Sequence, residues 1–146
     1  MGGIGGSAVV ALSGEAVEPE PDPVAAVLAA TVDSPDLDFG SIFLNEEDVT
    51  LQLTIIVENT SGTNEIPGST ATDLVLSSNN PVFSVDPAIC PPVAVNESVV
   101  CEVSITYSPN TVADDEGALT LEYNDGVGAI KTTPVLTMFG LSLIHI

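Results

Sequence analysis

Residues 99–107 (VVCEVSITY) hold a two-residue alternation that an extended strand satisfies and a helix does not. Val99, Cys101, Val103, Ile105 and Tyr107 fall on one side, while Val100, Glu102, Ser104, Thr106 and Ser108 fall on the other, mostly polar side. This is a half-buried β-strand, closed by Pro109, and Cys101 belongs to its inward set. Cys90 lies 11 positions earlier, so a disulfide would pin the strand to the segment leading into it. Loop-closure arithmetic makes such a link worth roughly 2.5 to 3 kcal/mol. Two independently buried thiols are the alternative. A metal site built on the two cysteines lacks partners, because the single histidine, His145, sits among the last six residues.

The remaining chain repeats the same kind of pattern. Leu37 to Ile42 reads as a strand broken at Gly40, where a bulge or crossing is expected. Leu51, Leu53, Ile55 and Val57 alternate with polar positions, and shorter strands follow at residues 72–77 and 82–85. Cys90-Pro91-Pro92 cannot donate ladder hydrogen bonds at its prolines and belongs at an edge or corner. Asp114 to Gly117 reads as an acidic turn into a strand over residues 118–124, and Asp125-Gly126 signals a hairpin returning along residues 129–139. Hydrophobic residues make up 45% of the 146-residue chain but aromatics only 4%, which fits one domain of many short strands. Seven strands in roughly a hundred residues make an all-β, two-sheet sandwich the economical solution.

Residues 34–140 form the expected domain. Residues 17–33 begin with VEPEPDP, which resists helix and ladder alike and reads as an acidic, Pro-rich linker. Residues 23–32 are apolar but about half the length that crosses a bilayer, so no membrane span is expected, and a linker or a strand packed against the domain is the reading. Val10 to Gly14 aligns with Leu136 to Gly140, so residues 1–16 read as the last strand of a preceding repeat. Residues 141–146 (LSLIHI) break the pattern. The codons CTG TCT CTT ATA CAC ATC encode them and spell a transposon-end adapter used in DNA library preparation, so they are read as a sequencing artefact without a role; a genuine strand extension is the alternative.

Charge narrows the partners. Twenty-one acidic residues face one basic residue, Lys131, so the counterion release that drives nucleic-acid binding has no donors, and anionic membrane is equally unsuitable. Screening shortens to roughly 3 Å at about 1 M salt, so a saline or extracellular setting suits such a surface. Two close cysteines in an acidic β chain fit an oxidising compartment better than the cytosol. No arginine or second histidine is present to activate a nucleophile or clamp a phosphate, and no enzyme activity is expected. Calcium is the one cofactor to weigh, with Asp114, Asp115 and Glu116 as weak candidates beside Asp36/Asp38 and Glu46/Asp48; solvated turns are the alternative. Asn59-Thr60-Ser61 and Asn96-Glu97-Ser98 fit the N-glycosylation sequon, which matters in a eukaryotic secretory chain.

Leu37-Asp38-Phe39-Gly40, the Asn59-Thr60 strand ending, Phe83-Ser84-Val85, and Cys90 to Cys101 running into Ser104 to Pro109 together resemble a known module. The order and spacing resemble the immunoglobulin-like repeat of bacterial choice-of-anchor D surface proteins, which is similar to the abnormal-spindle/hydin (ASH) domain of the PapD-like group. The resemblance spans residues 34–140 and implies a seven-stranded, Greek-key immunoglobulin-like sandwich without catalytic activity. It also implies arrays on secreted or cell-surface proteins, with neighbouring repeats of the same chain and an unidentified protein or glycan as partners. Ciliary or centrosomal attachment is the role in eukaryotic relatives. The acidic load and the long loop over residues 59–70 depart from that pattern. An accessory carbohydrate-binding module is the other alternative, and an exposed row of aromatics would favour it.

Overall fold

A computed structural model of the chain describes residues 24–62 and 67–144. The expected strand of a preceding repeat and the Pro-acid stretch up to residue 23 lie outside the described residues, as does His145. Nine strands form among the described residues: β1 (Leu28–Thr31), β2 (Asp36–Phe43), β3 (Val49–Asn59), β4 (Thr72–Ser78), β5 (Phe83–Asp86), β6 (Ile89–Cys90), β7 (Ser98–Tyr107), β8 (Ala113–Asn124) and β9 (Ile130–Leu143). All seven expected strands are present, and β1 and β6 raise the count to nine. Neither addition shows a period: β1 is the run LAAT and β6 has two residues.

The strands build two sheets, one of five in the order β2-β9-β8-β4-β6 and one of four in the order β1-β3-β7-β5. Every pairing is antiparallel except that of β2 with β9. Alternation decides which side chains enter between the sheets. Ile55 and Val57 of β3, Val103 and Ile105 of β7, and Leu119 and Leu121 of β8 are all at most 1% exposed. The β2–β9 register slips between Phe139 and Leu141, opposite Gly40, whose φ of 73° places the expected irregularity there.

Because β8 and β9 join through residues 125–129, that turn marks one end of the sandwich, the hairpin end. Residues 24–31 attach there: the Ala26 N–H donates to the Asp125 carbonyl at 2.8 Å, and β1 pairs with the last turnward residues of β3. The opposite, aromatic end collects Phe39, Phe83 and Tyr107, and β9 reaches it at Leu143. The chain therefore joins the body at one end and runs out of it at the other.

Three boundaries differ from the sequence reading. Residues 28–31, placed within the linker span with a packed strand as the other reading, are a strand of the four-stranded sheet, because Leu28 is buried and the ladder with β3 satisfies the backbone. The acidic run from Asp114 is strand rather than turn, since Asp114 and Glu116 point out while Asp115 and Gly117 take inward positions. Residues 141–143 continue β9 with Ser142 fully buried, its hydroxyl donating to the carbonyls of Thr111 and Ala113 and accepting the Ala113 N–H at 2.8 Å.

Candidate functional site

The cysteine pair is where the sequence placed it, with a different consequence. The Cys90 and Cys101 sulfurs are bonded at 2.02 Å with Cα atoms 5.6 Å apart, and both residues are buried. Cys90 belongs to the edge strand β6 of the five-stranded sheet and Cys101 to the centre of β7 in the other, so the bond ties the two sheets together.

At the aromatic end, Phe83 and Tyr107 stack with centroids 5.0 Å apart, and Phe39 tilts against them at 5.4 and 5.8 Å. Glycines make the room: a Cβ on Gly117 would press on the Phe83 ring, and one on Gly140 would overlap the Tyr107 ring. The Tyr107 hydroxyl donates to Asp115 Oδ2 at 2.7 Å. Burial first, and then that carboxylate, push the phenol up to about 12. Of the six aromatic side chains, four are buried and Phe43 and Phe139 are half-buried, so no exposed aromatic row exists to stack on a sugar.

At the hairpin end the chemistry is polar. Asn59, 1% exposed, donates to the carbonyls of Ser69 and Val93 at 2.7 and 3.0 Å and accepts from the Ser61 N–H and hydroxyl at 3.2 and 2.7 Å. One side chain thus ties β3 to the loops before β4 and β7. Asp125 is equally buried and accepts the N–H groups of Val127 and Ala129, each at 3.0 Å, with the Lys131 ammonium at 3.5 Å. The Val127 amide first, then Ala129 and Lys131, hold its carboxyl below the usual carboxylate range, against the burial that would raise it. The Tyr123 hydroxyl accepts the Leu28 N–H at 3.2 Å and donates to the Ala26 carbonyl at 3.5 Å, capping the free edge of β1. Sequence reasoning missed these roles. A strand-ending Asn and a turn Asp look like surface punctuation, and only long-range contacts reveal them as buried.

The calcium candidates are not brought together. Asp115 faces Tyr107 from the inward side of β8, whereas Asp114 and Glu116 are exposed on the other side. Asp38 instead accepts the Gly40 N–H at 2.8 Å, and Asp48 accepts the Ser108 hydroxyl at 2.8 Å. Among the described residues, no three His, Cys, Asp or Glu side chains converge on a metal-sized space. An open, polar depression of about 280 Å³ lies at the hairpin end, lined by Glu58, Asn59, Thr60, Asn96, Glu97 and Ser98.

One sheet edge is closed to contacts and one sheet face is open to them. The exposed Asp36 and Asp38 and the kink at Gly40 blunt the outer edge of β2 against strand addition. On the outer face of the four-stranded sheet, Thr31, Ile56 and Val100 line up across three strands, with Ile56 42% and Val100 55% exposed. Among the described residues, no helix is long and apolar enough to cross a membrane.

No family model matches the sequence, and no curated protein matches it. Among solved structures it is similar to the ASH/PapD-like domain 7 of human CEP192, with TM-score 0.53 at 16% identity over 94% of this chain and 99% of that one. It is more distantly similar to WR4, an MSP family member of C. elegans (TM-score 0.40, 15% identity, 80% of this chain, 97% of that one). A family 123 glycoside hydrolase from Clostridium perfringens follows (TM-score 0.39, 11% identity, 82% of this chain, 28% of that one). The last two carry no argument at those scores. The first establishes the fold: an all-β, immunoglobulin-like sandwich of the PapD/ASH type, as the sequence resemblance implied.

Proposed function

We propose that this domain is a non-catalytic structural and interaction repeat of a larger secreted or cell-surface protein, of the choice-of-anchor D kind, serving as a spacer and presenting loops for adhesion. One observation carries the reading: the chain attaches at the hairpin end and leaves at the aromatic end, while Cys90–Cys101 fastens sheet to sheet between them. Domains joined that way add length with each copy, and a crosslink across the layers resists their separation under tension. With the β2 edge blunted and the β1 edge capped by Tyr123, the hairpin-end loops and the Ile56–Val100 face serve as contact surfaces.

The test is thiol accounting on the protein taken from its own cells with free thiols blocked at lysis. Complete protection of Cys90 and Cys101 is expected. Two alkylated cysteines would sink the secreted reading in favour of an intracellular ASH-type ciliary or centrosomal scaffold, the second reading, which the likeness to the human CEP192 domain favours. An accessory carbohydrate-binding module has less support, because the aromatics are committed to the core.

A further inference from the structure

Two triplets satisfy the N-x-Ser/Thr pattern of N-linked glycosylation, Asn59-Thr60-Ser61 and Asn96-Glu97-Ser98. The fold treats them in opposite ways. Both amide hydrogens of Asn59 are engaged by buried carbonyls, and its oxygen holds Ser61, itself only 3% exposed. A sugar on Asn59 Nδ2 would displace at least one of those hydrogen bonds and demand space that a close-packed interior lacks.

Asn96 sits in the turn that feeds β7. Its φ of 61° is a left-handed conformation that Asn adopts more readily than most residues. The turn is fixed through the backbone, by the Glu97 N–H to the Ala94 carbonyl at 3.1 Å and the Asn96 N–H to the Asn59 carbonyl at 3.0 Å. The side chains of Asn96, Glu97 and Ser98 are exposed, and they border the polar depression of about 280 Å³, which leaves room beside Asn96 for a first sugar ring. This turn lies inside the loop that Cys90 and Cys101 close, so the same oxidising compartment would see both modifications.

We infer that Asn96 is an acceptor for an N-linked glycan in the folded protein and that Asn59 is not. In the transfer, Asn96 Nδ2 displaces diphosphate from the anomeric carbon of a polyisoprenyl-diphosphate-linked oligosaccharide. The new N–C bond forms as the C–O bond breaks, the diphosphate leaves with the electron pair, and the amide proton passes to a base of the transferase. The glycan would then project from the hairpin end, over the rim of Glu58 and Glu97. The inference rests on the secreted part of the reading above, in a eukaryotic secretory chain rather than a bacterial surface protein.

The whole chain is directed through a eukaryotic secretory pathway behind a cleavable signal. Chain from the medium and chain retained in the cell are both treated with peptide-N-glycosidase in heavy-oxygen water, which marks each formerly glycosylated Asn as labelled Asp. Label at Asn96 and none at Asn59 is expected in the disulfide-bonded fraction, and Asn96→Gln should abolish the glycosidase-sensitive mobility shift. Unlabelled Asn96 in oxidised chain, or label at Asn59 in that fraction, would overturn the inference. Because retained chain is mapped too, poor secretion still reports the occupancy of Asn96. Reduced thiols in protein from its native source would instead sink the secreted reading, whatever Asn96 proves able to accept.

Discussion

At the aromatic end, three rings stack between the sheets against two glycines, whereas at the hairpin end Asn59, Tyr123 and Asp125 commit their polar atoms to backbone groups. Ring packing scales with volume and tolerates a change of shape that keeps the space filled. A buried polar hub does not, because each lost partner leaves a desolvated group behind. The aromatic end therefore supplies bulk stability, while the hairpin end specifies where residues 24–31 attach.

The sharpest way to break this contrast is by truncation. Phe83→Ala should cost about 3–5 kcal/mol in denaturant unfolding, and Phe83→Leu much less, since apolar volume is what the site needs. Asn59→Ala should cost about 2–4 kcal/mol, because the carbonyls of Ser69 and Val93 lose their donor. Asn59→Asp, nearly isosteric, should rescue little, as it replaces those donors with a carboxylate facing two carbonyls. If Asn59→Leu matched the parent protein, the polar hub would be dispensable and the contrast would fail.

The crosslink sits between the two regimes, with Cys101 opposite Ile55 in the middle of β3. Its separation of 11 residues makes the double replacement Cys90→Ala/Cys101→Ala cost roughly 2.5–3 kcal/mol. Reductant should lower the midpoint of the parent protein and leave the double variant unmoved. An equal response in both would show that the bond contributes nothing to stability.

Alternation and turn signals made seven of the nine strands and the inward cysteine legible, because period-two burial is a local signal. The acidic run from Asp114 was misleading, because charge density mimics a turn while the alternation beneath it continues, with Asp115 inward on Tyr107. β1 was legible only as one of two readings, linker or packed strand, since LAAT has no polar side to count and is held by Tyr123 and Asp125 from almost a hundred residues away. Ser142 shows the same limit: a match to adapter codons, with a strand extension as the alternative, says nothing of how its position in β9 is enclosed and hydrogen-bonded. Contacts at long separation leave little trace in a local pattern.

The smallest effects separate the ends by pH. Burial and Asp115 favour the neutral Tyr107 phenol, so its contribution is complete below the ordinary value of 10.0 and is lost as pH rises toward about 12. Asp125 is shifted the other way. Its contribution is complete above the ordinary value of 3.8 and is lost as pH falls through the depressed native value. Tyr107→Phe should flatten the alkaline limb of stability against pH, and Asp125→Asn the acid limb, each leaving the other limb intact. A second acid effect runs against Asp125, because protonating the surface lowers a net charge of -20 and relieves self-repulsion. At about 1 M salt, where screening reaches roughly 3 Å, that relief should vanish while the short bonds to Val127 and Ala129 persist. The acid limb of the parent protein should then steepen, and that of Asp125→Asn should not. A salt-independent acid limb would mean that self-repulsion contributes nothing, and an acid limb unchanged by Asp125→Asn would mean that Asp125 does not govern the hairpin end.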